Sequence, residues 1–117
     1  MSFIRRKDEI PVVNKLMFDG PGEAENHVLI AGPQDLFGKG RLFNLMVLQP
    51  GCAVGWHVHH GDGETYCILK GRGEYNDNGT LLEVGPGDVT FVDDGEGHAL
   101  KGISDEPLEA IALILYK

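Results

Sequence analysis

Residues 53–69 read AVGWHVHHGDGETYCIL, and this stretch is the most informative about the fold. Two apolar, strand-like segments, residues 53–59 and 64–69, flank a polar linker at residues 60–63 that contains two glycines. Short segments of this kind, joined by a short glycine-containing linker, are typical of β-hairpins. We therefore predict two antiparallel strands that pair with each other here.

A second hairpin is predicted between residues 72–76 and 80–84, because Asn78-Gly79 supplies the positive φ angles of a tight reversal. Turn signals recur at intervals near the 8–12 residues found in sandwiches and barrels, and no long segment has the 3.6-residue period of a helix. The sequence therefore predicts an all-β fold. The other predicted strands are residues 27–31, 42–48, 89–92, 98–103 and Leu108–Tyr116.

The size of the chain predicts one domain. Its 117 residues, of which 42% are hydrophobic and 24% charged, match a single globular unit that spans residues 1–117. The 17 glycines are about twice the average share and separate the apolar segments. We expect loops with one or two strands in residues 1–40, and the core of the domain in residues 41–117.

Charge and hydropathy exclude several classes of partner. Eighteen acidic and ten basic residues give a net charge of −8, which disfavours binding to nucleic acid or to an anionic membrane surface. The longest apolar run, residues 110–116, is far shorter than the roughly 20 residues of a membrane span.

The first residues lack the apolar stretch of a secretory signal, so we expect a cytoplasmic protein. Cys52 and Cys67 are interpreted as free, half-buried thiols.

Three potential metal ligands lie around the first linker. Side chains two apart on a strand point the same way, so His57 and His59 share a face. If the hairpin places His59 opposite Glu64, then His57 lies opposite Tyr66, and all four side chains share one face of the ladder. Two imidazoles and a carboxylate suit a first-row transition metal. A buried carboxylate without such a cation would be costly.

The spacing of these residues resembles the first motif of the cupin superfamily. Five residues separate Gly51 from His57, one separates His57 from His59, four separate His59 from Glu64, and six separate Glu64 from Gly71. This spacing reproduces the motif in full. The chain is therefore similar to cupins over about residues 42–116.

A second, weaker cupin-like motif follows. It consists of Gly87, Asp93, Gly95, His98 and Gly102. The family usually has proline at the position of Asp93 and asparagine at that of Gly102. The resemblance implies a double-stranded β-helix, or jelly-roll barrel, in which His98 joins the other candidate ligands.

The metal site that the resemblance implies comprises His57, His59, Glu64 and His98. It would hold one divalent transition metal ion, such as Zn, Mn, Fe or Ni; the alternative is a cupin without a metal. Four protein ligands leave up to two octahedral positions open, which allows Lewis-acid or redox chemistry.

The resemblance also implies a function. Cupins with this ligand set are mostly dioxygenases, decarboxylases, isomerases and lyases acting on small, oxygen-rich acids or carbonyl compounds. We therefore expect a metal-dependent enzyme of this kind, with Tyr66 as a candidate acid or base. The alternative is a cupin that binds a small molecule without catalysis. A homodimer is the family's usual assembly, and the apolar last strand favours it.

Further residues are candidates for contacts around the site. Arg41 and Lys101 are candidates for contacting a carboxylate, and acidic residues in the loop 93–97 would lie near the entrance of the barrel. His60 is interpreted as a solvated turn residue and His27 as structural.

Overall fold

The computed structural model describes residues 1–117 and is built almost entirely of β-strands. Short 3-10 helices cover Lys7–Glu9 and Gln34–Leu36. The strands are β1 (Val12–Lys15), β2 (Ala24–Ile30), β3 (Gly40–Leu48), β4 (Ala53–Val58), β5 (Asp62–Lys70), β6 (Gly73–Asp77), β7 (Thr80–Val84), β8 (Val89–Val92), β9 (Gly97–Gly102) and β10 (Leu108–Tyr116). The predicted all-β class is confirmed, and residues 1–40 contribute two strands.

The strands form two antiparallel sheets that pack together as a jelly roll. The larger sheet has the order β1-β2-β3-β10-β5-β8, and the smaller has the order β4-β9-β6-β7. The core between them contains side chains from both sheets, such as Met46 and Ile68 from the larger and Leu100 and Tyr75 from the smaller. The chain passes several times from one sheet to the other. Side chains that are far apart in the sequence therefore meet in the core.

Strand β10 lies in the middle of the larger sheet and pairs with both β3 and β5. Its residues alternate between buried and half-buried positions, as expected for a strand with one face in the core. The inward positions include Ala110 and Ala112, which are almost completely buried. The small side chain of Ala112 borders a cavity inside the barrel.

The structure confirms one of the two predicted hairpins and contradicts the other. Strands β6 and β7 pair as predicted, and Asn78 and Gly79 have φ angles of 50° and 101° in the turn. The pairing predicted around residues 60–63 is wrong, because β4 and β5 belong to different sheets. An alternating pattern shows which face of a strand is buried, but two strands that face each other across a core have the same pattern as two strands that pair.

Candidate metal centre

Four potential ligands from three segments of the fold converge inside the barrel. His57 on β4 lies directly opposite His98 on β9, and His59 follows the end of β4. Glu64 comes from β5 in the other sheet. One ligand atom from each of the four residues lies within 4.8 Å of all the others. The site therefore joins the two sheets, and its residues do not share one face of a hairpin as we expected.

The distances between these atoms suit a small cation. His98 Nε2 lies 3.0 Å from His57 Nε2, 3.2 Å from His59 Nε2 and 3.1 Å from Glu64 Oε1. His59 Nε2 lies 3.3 Å from the same carboxylate oxygen. Ligands about 2.1 Å from a metal lie about 3.0 Å apart at octahedral angles and about 3.4 Å apart at tetrahedral angles. These four spacings fall in this range, whereas His57 Nε2 and Glu64 Oε1 lie farther apart, at 3.9 Å.

Each of the three imidazoles is held through its other nitrogen. His57 Nδ1 lies 2.8 Å from the carbonyl oxygen of Gly55, and His59 Nδ1 lies 2.7 Å from Asp62 Oδ1. His98 Nδ1 lies 2.9 Å from the hydroxyl of Tyr75. Partners of this kind fix the orientation and the tautomer of metal-binding histidines.

The hydrogen bonds of these partners indicate that a cation fits the site. A carbonyl oxygen and a carboxylate can only accept, so Nδ1 of His57 and of His59 must each carry the proton. In the neutral rings, Nε2 then has a free lone pair that points toward Glu64 and His98. Several lone pairs within about 3 Å of one another repel unless a proton or a metal cation lies between them, and hydrogen bonding to Glu64 raises the pKa of His59 despite its burial. A metal at this site would take the place of such a proton. The donor set therefore fits a divalent transition metal.

The site keeps its carboxylate charged and one imidazole neutral. Burial alone would raise the pKa of Glu64, but hydrogen bonding to the three histidines lowers it well below its usual range. Burial lowers the pKa of His98, which is fully enclosed. An ionised Glu64 and a neutral His98 are the forms that bind a metal.

Asp62 links the candidate ligands to a cation at the surface. Its Oδ1 accepts from His59, and its Oδ2 accepts from Arg41 Nε at 2.8 Å. Burial raises the pKa of Asp62, but the bonds with Arg41 and His59 outweigh this effect and lower it. The sequence interpretation placed Asp62 in a linker and assigned it no role. Its position three residues after His59 was the available signal.

Two tyrosines contact His98, Tyr66 through its ring and Tyr75 through its hydroxyl. The Tyr66 ring stacks on His98, with centroids 5.1 Å apart and planes 11° apart, and burial raises its pKa well above the usual value. Its hydroxyl therefore stays protonated. Tyr75, which the sequence interpretation missed, contacts His98 through its hydroxyl. It comes from β6, so only the fold could reveal this contact.

The segment before β2 covers part of the site. The ring of Phe18 stacks on His57, with centroids 4.0 Å apart and planes 10° apart. The backbone of Gly55 donates to the carbonyl oxygen of Met17 at 2.9 Å. A Cβ at position 55 would collide with the carbonyl oxygen of Phe18. Glycine at this position therefore allows the segment to lie directly over β4.

The site opens toward one side of the barrel. An inner cavity of about 60 Å³ is lined by His57, His59, Glu64, Tyr66 and Arg41, among others. A wider cleft between the Phe18 segment and strands β1, β2 and β3 adjoins it, and Arg41 lines both spaces. Arg41 thus lies where a bound acid would reach it. The other candidate, Lys101, lines neither space.

The acidic loop at residues 93–97 does not lie at this entrance, contrary to our expectation. None of its side chains lines the inner cavity or the cleft. Instead, Gly95 N–H donates to the carbonyl oxygen of His59, and His59 N–H donates to that of Glu96. The Asp94 carboxylate accepts from the backbone of Gly61 at 2.7 Å. The loop therefore holds the backbone around His59.

The remaining histidines lie away from the centre. His60 is exposed, in agreement with its interpretation as a turn residue. His27 is half-buried on β2, opposite Val12 and Leu45.

Both cysteines are free and half-buried, as predicted. The structure has no helix with the length and apolarity that a bilayer crossing requires.

Comparison with known proteins identifies the family. A family model described as a cupin domain matches residues 44–114. The chain belongs to the cupin family. An oxalate-binding protein of Thermotoga maritima is 38% identical over 112 residues, which cover 96% of this chain and 92% of the relative.

Solved cupin structures agree with the fold. The crystal structure of a "predicted oxalate decarboxylase" from Thermotoga maritima superposes with a TM-score of 0.93 at 37% identity, covering 98% of this chain and all of the other. A putative sugar phosphate isomerase from Acidithiobacillus ferrooxidans has a TM-score of 0.80 at 19% identity, covering 97% of this chain and 75% of the other. The second similarity concerns the fold alone.

Proposed function

We propose that this cupin holds one divalent transition metal ion through His57, His59, Glu64 and His98, and that a small organic acid binds beside the metal. The observation that carries the proposal is the convergence of three imidazole Nε2 atoms and one carboxylate oxygen, with spacings near 3 Å. Zn, Mn, Fe and Ni all accept this donor set. When bound, such a metal supplies Lewis-acid chemistry or, for Fe and Mn, redox chemistry.

The charge of the site favours an anionic ligand. A divalent ion with three neutral imidazoles and one carboxylate has a net charge of about +1. The charge of Arg41, at the edge of the inner cavity, is balanced by Asp62, and this bond fixes the guanidinium so that its other N–H groups can donate to an acid. The inner cavity has room for only a few non-hydrogen atoms. A small carboxylate with oxygen atoms at both ends suits these conditions.

The relatives support oxalate as the first acid to test. The Thermotoga maritima relative is named an oxalate-binding protein, and the similar crystal structure is called a predicted oxalate decarboxylase. Oxalate is small enough for the inner cavity and can bind a metal through two oxygens. Its two remaining oxygens would then be available to Arg41.

We further propose that the bound acid is converted, as a dioxygenase, decarboxylase, isomerase or lyase would convert it. Tyr66 is the proposed acid, because it lines the inner cavity; burial raises its pKa, so its hydroxyl is better suited to donate a hydrogen bond than to release its proton. Binding without conversion is the second candidate. It is favoured by the absence of a free base at the site, since Asp62 is already occupied by Arg41 and His59.

The experiment begins with elemental analysis of protein purified without chelators. Calorimetric titration of oxalate into metal-loaded and metal-stripped protein follows, with assays for loss of oxalate and release of carbon dioxide. Glu64→Gln should abolish metal and oxalate binding, whereas His60→Ala, an exposed neighbour, should retain both. Stoichiometric binding without product supports the second candidate. A protein that refuses all added metals contradicts the proposal.

We also propose that two copies associate through the outer face of the larger sheet. Apolar side chains alternate with buried ones on β3 and β10, and exposed apolar side chains continue on β8. A broad apolar face on a soluble chain marks an interaction site. Two copies with a charge of −8 each would meet best on a face with few charges, and the carboxylates on this one, Glu25 and Glu109, lie together beside Val47 at one end of it. The residues concerned are Phe43, Leu45, Val47, Ile111, Leu113, Val89 and Phe91.

The cellular setting proposed is the cytoplasm, without nucleic acid or membrane partners. Cys52 and Cys67 do not pair with each other, as is usual in a reducing compartment. The net charge of −8 opposes phosphate backbones and anionic lipids. Fractionation of the source cells would test this assignment.

A further inference from the structure

The space outside the metal centre is much larger than oxalate needs. The inner cavity measures about 60 Å³, whereas the cleft that adjoins it measures about 420 Å³. The two spaces share Met17, Phe18, Asn26, Arg41 and Leu42 as lining residues. The two spaces therefore adjoin each other across these residues, a narrow inner cavity and a wide, open cleft that we call the outer chamber. A chamber of this volume is in the range that holds a complete small-molecule ligand.

The walls of the outer chamber are mainly apolar. Six of its ten lining residues are hydrophobic, and no aspartate or glutamate is among them. The hydrophobic residues are Val13, Leu16, Met17, Phe18, Val28 and Leu42. Lys15 and Arg41 are its only charged residues, and both are cationic. The chamber therefore suits an apolar group attached to an anion.

Two buried amides in this chamber are poorly paired. Asn26 and Asn44 are only 7% and 6% exposed, and the bond between their side chains measures 3.5 Å. The other bonds of the Asn26 amide, to the carbonyl oxygens of Val13 and Ala24, measure 3.5 and 3.4 Å. These lengths lie at the weak limit for hydrogen bonds. Buried polar groups normally pair better, so these amides are available to a ligand.

We propose that the site takes a 2-oxo or 2-hydroxy acid with an apolar group of several carbons. The acid head would bind at the metal and Arg41, and the apolar group would fill the outer chamber between Phe18 and Val28. The amides of Asn26 and Asn44 would contact the middle of the ligand. This inference rests on the proposed function, and it extends the ligand class beyond two-carbon acids such as oxalate.

The test compares acids that have the same head and different tails. Protein loaded with Zn²⁺, which has no redox chemistry, is titrated calorimetrically with oxalate, pyruvate, 4-methyl-2-oxopentanoate and phenylpyruvate. Burial of the additional carbon atoms should make the two larger 2-oxo acids bind about tenfold more tightly than pyruvate, or better. Equal or weaker binding of the larger acids overturns the inference.

A variant pair locates the tail. Val28 lines only the outer chamber, whereas its neighbour Leu29 lines neither space. Val28→Phe should remove the advantage of the larger acids and leave oxalate and pyruvate within twofold of the wild type. Leu29→Phe should change none of these affinities. If Val28→Phe weakens oxalate and the larger acids equally, the tail does not occupy this chamber.

The outcomes separate this inference from the proposed function. Binding of oxalate without preference for larger acids contradicts the inference alone. No binding of any acid to the Zn²⁺-loaded protein contradicts both. If Val28→Phe does not fold, as judged by circular dichroism, the ligand series on the wild-type protein still decides.

Discussion

Replacing Asp62 by asparagine tests whether this carboxylate positions His59 for a metal. The aspartate accepts from His59 Nδ1 at 2.7 Å and from Arg41 Nε at 2.8 Å. Asparagine has one accepting oxygen and one donating NH2 group, so it cannot serve both partners. If its oxygen faces His59, its NH2 group opposes the donor of Arg41. If its NH2 group faces His59, Nδ1 must accept and the proton moves to Nε2, where it blocks the metal.

The expected loss in metal affinity for Asp62→Asn is about 10-fold to 100-fold, or about 1.4 to 2.7 kcal/mol. Competition with a chromogenic chelator measures the metal Kd directly, whether or not the protein is an enzyme. Glu83→Gln is the control, because Glu83 forms an exposed ion pair with Arg72, at 3.3 Å, away from the site. Its metal affinity should equal that of the wild type.

Arg41→Gln separates the role of Asp62 in metal binding from the role of Arg41 in acid binding. It leaves the bond between Asp62 and His59 in place, so metal affinity should change little while oxalate affinity falls. The reasoning is refuted if Asp62→Asn folds normally and binds the metal within twofold of the wild type.

Three further perturbations test other parts of the structure. Tyr75→Phe removes the hydroxyl at His98 Nδ1, so metal affinity should fall, but by less than for Asp62→Asn because the lost partner is neutral; an unchanged Kd would contradict this role. Gly55→Ala should lower the free energy of unfolding by about 1 to 3 kcal/mol in urea titrations, because its Cβ would collide with the Phe18 backbone; stability equal to the wild type would show that the segment moves freely. Leu113→Glu places a charge on the outer sheet face, so sedimentation should show a monomer where the wild type is a dimer; a wild-type monomer would exclude the proposed association.

The sequence was sufficient to predict most of the strands, because alternation and turn residues are local signals, but it did not place β1. Residues 80–84, 89–92 and 108–116 were predicted with the bounds that the structure shows. The pairing of β4 with β9 could not be predicted from local patterns, since it depends on where the chain crosses between sheets. The expected partner of His57 was therefore Tyr66, whereas its actual partner across the strands is His98.

The candidate ligands were predictable to different degrees. Parity along a strand grouped His57 with His59, but His98 was identified only through the spacing of the cupin motif. The contacts of Asp62 and Tyr75 were missed, because a hydrogen bond to the far nitrogen of a histidine has no spacing rule in the sequence. The prediction that the site opens beside the acidic loop was also wrong, since the position of the opening depends on how the Phe18 segment lies over β4.

The origin of the ligands in two different sheets has a mechanical consequence. An ion bound by Glu64 on one sheet and by His57 and His98 on the other would act as a cross-link through the centre of the sandwich. Separating the layers would then require release of the ion, so metal saturation would add to the free energy of unfolding, by about 2.7 kcal/mol at a free concentration of 100 times Kd. The centre would therefore hold the barrel closed as well as bind its ligand.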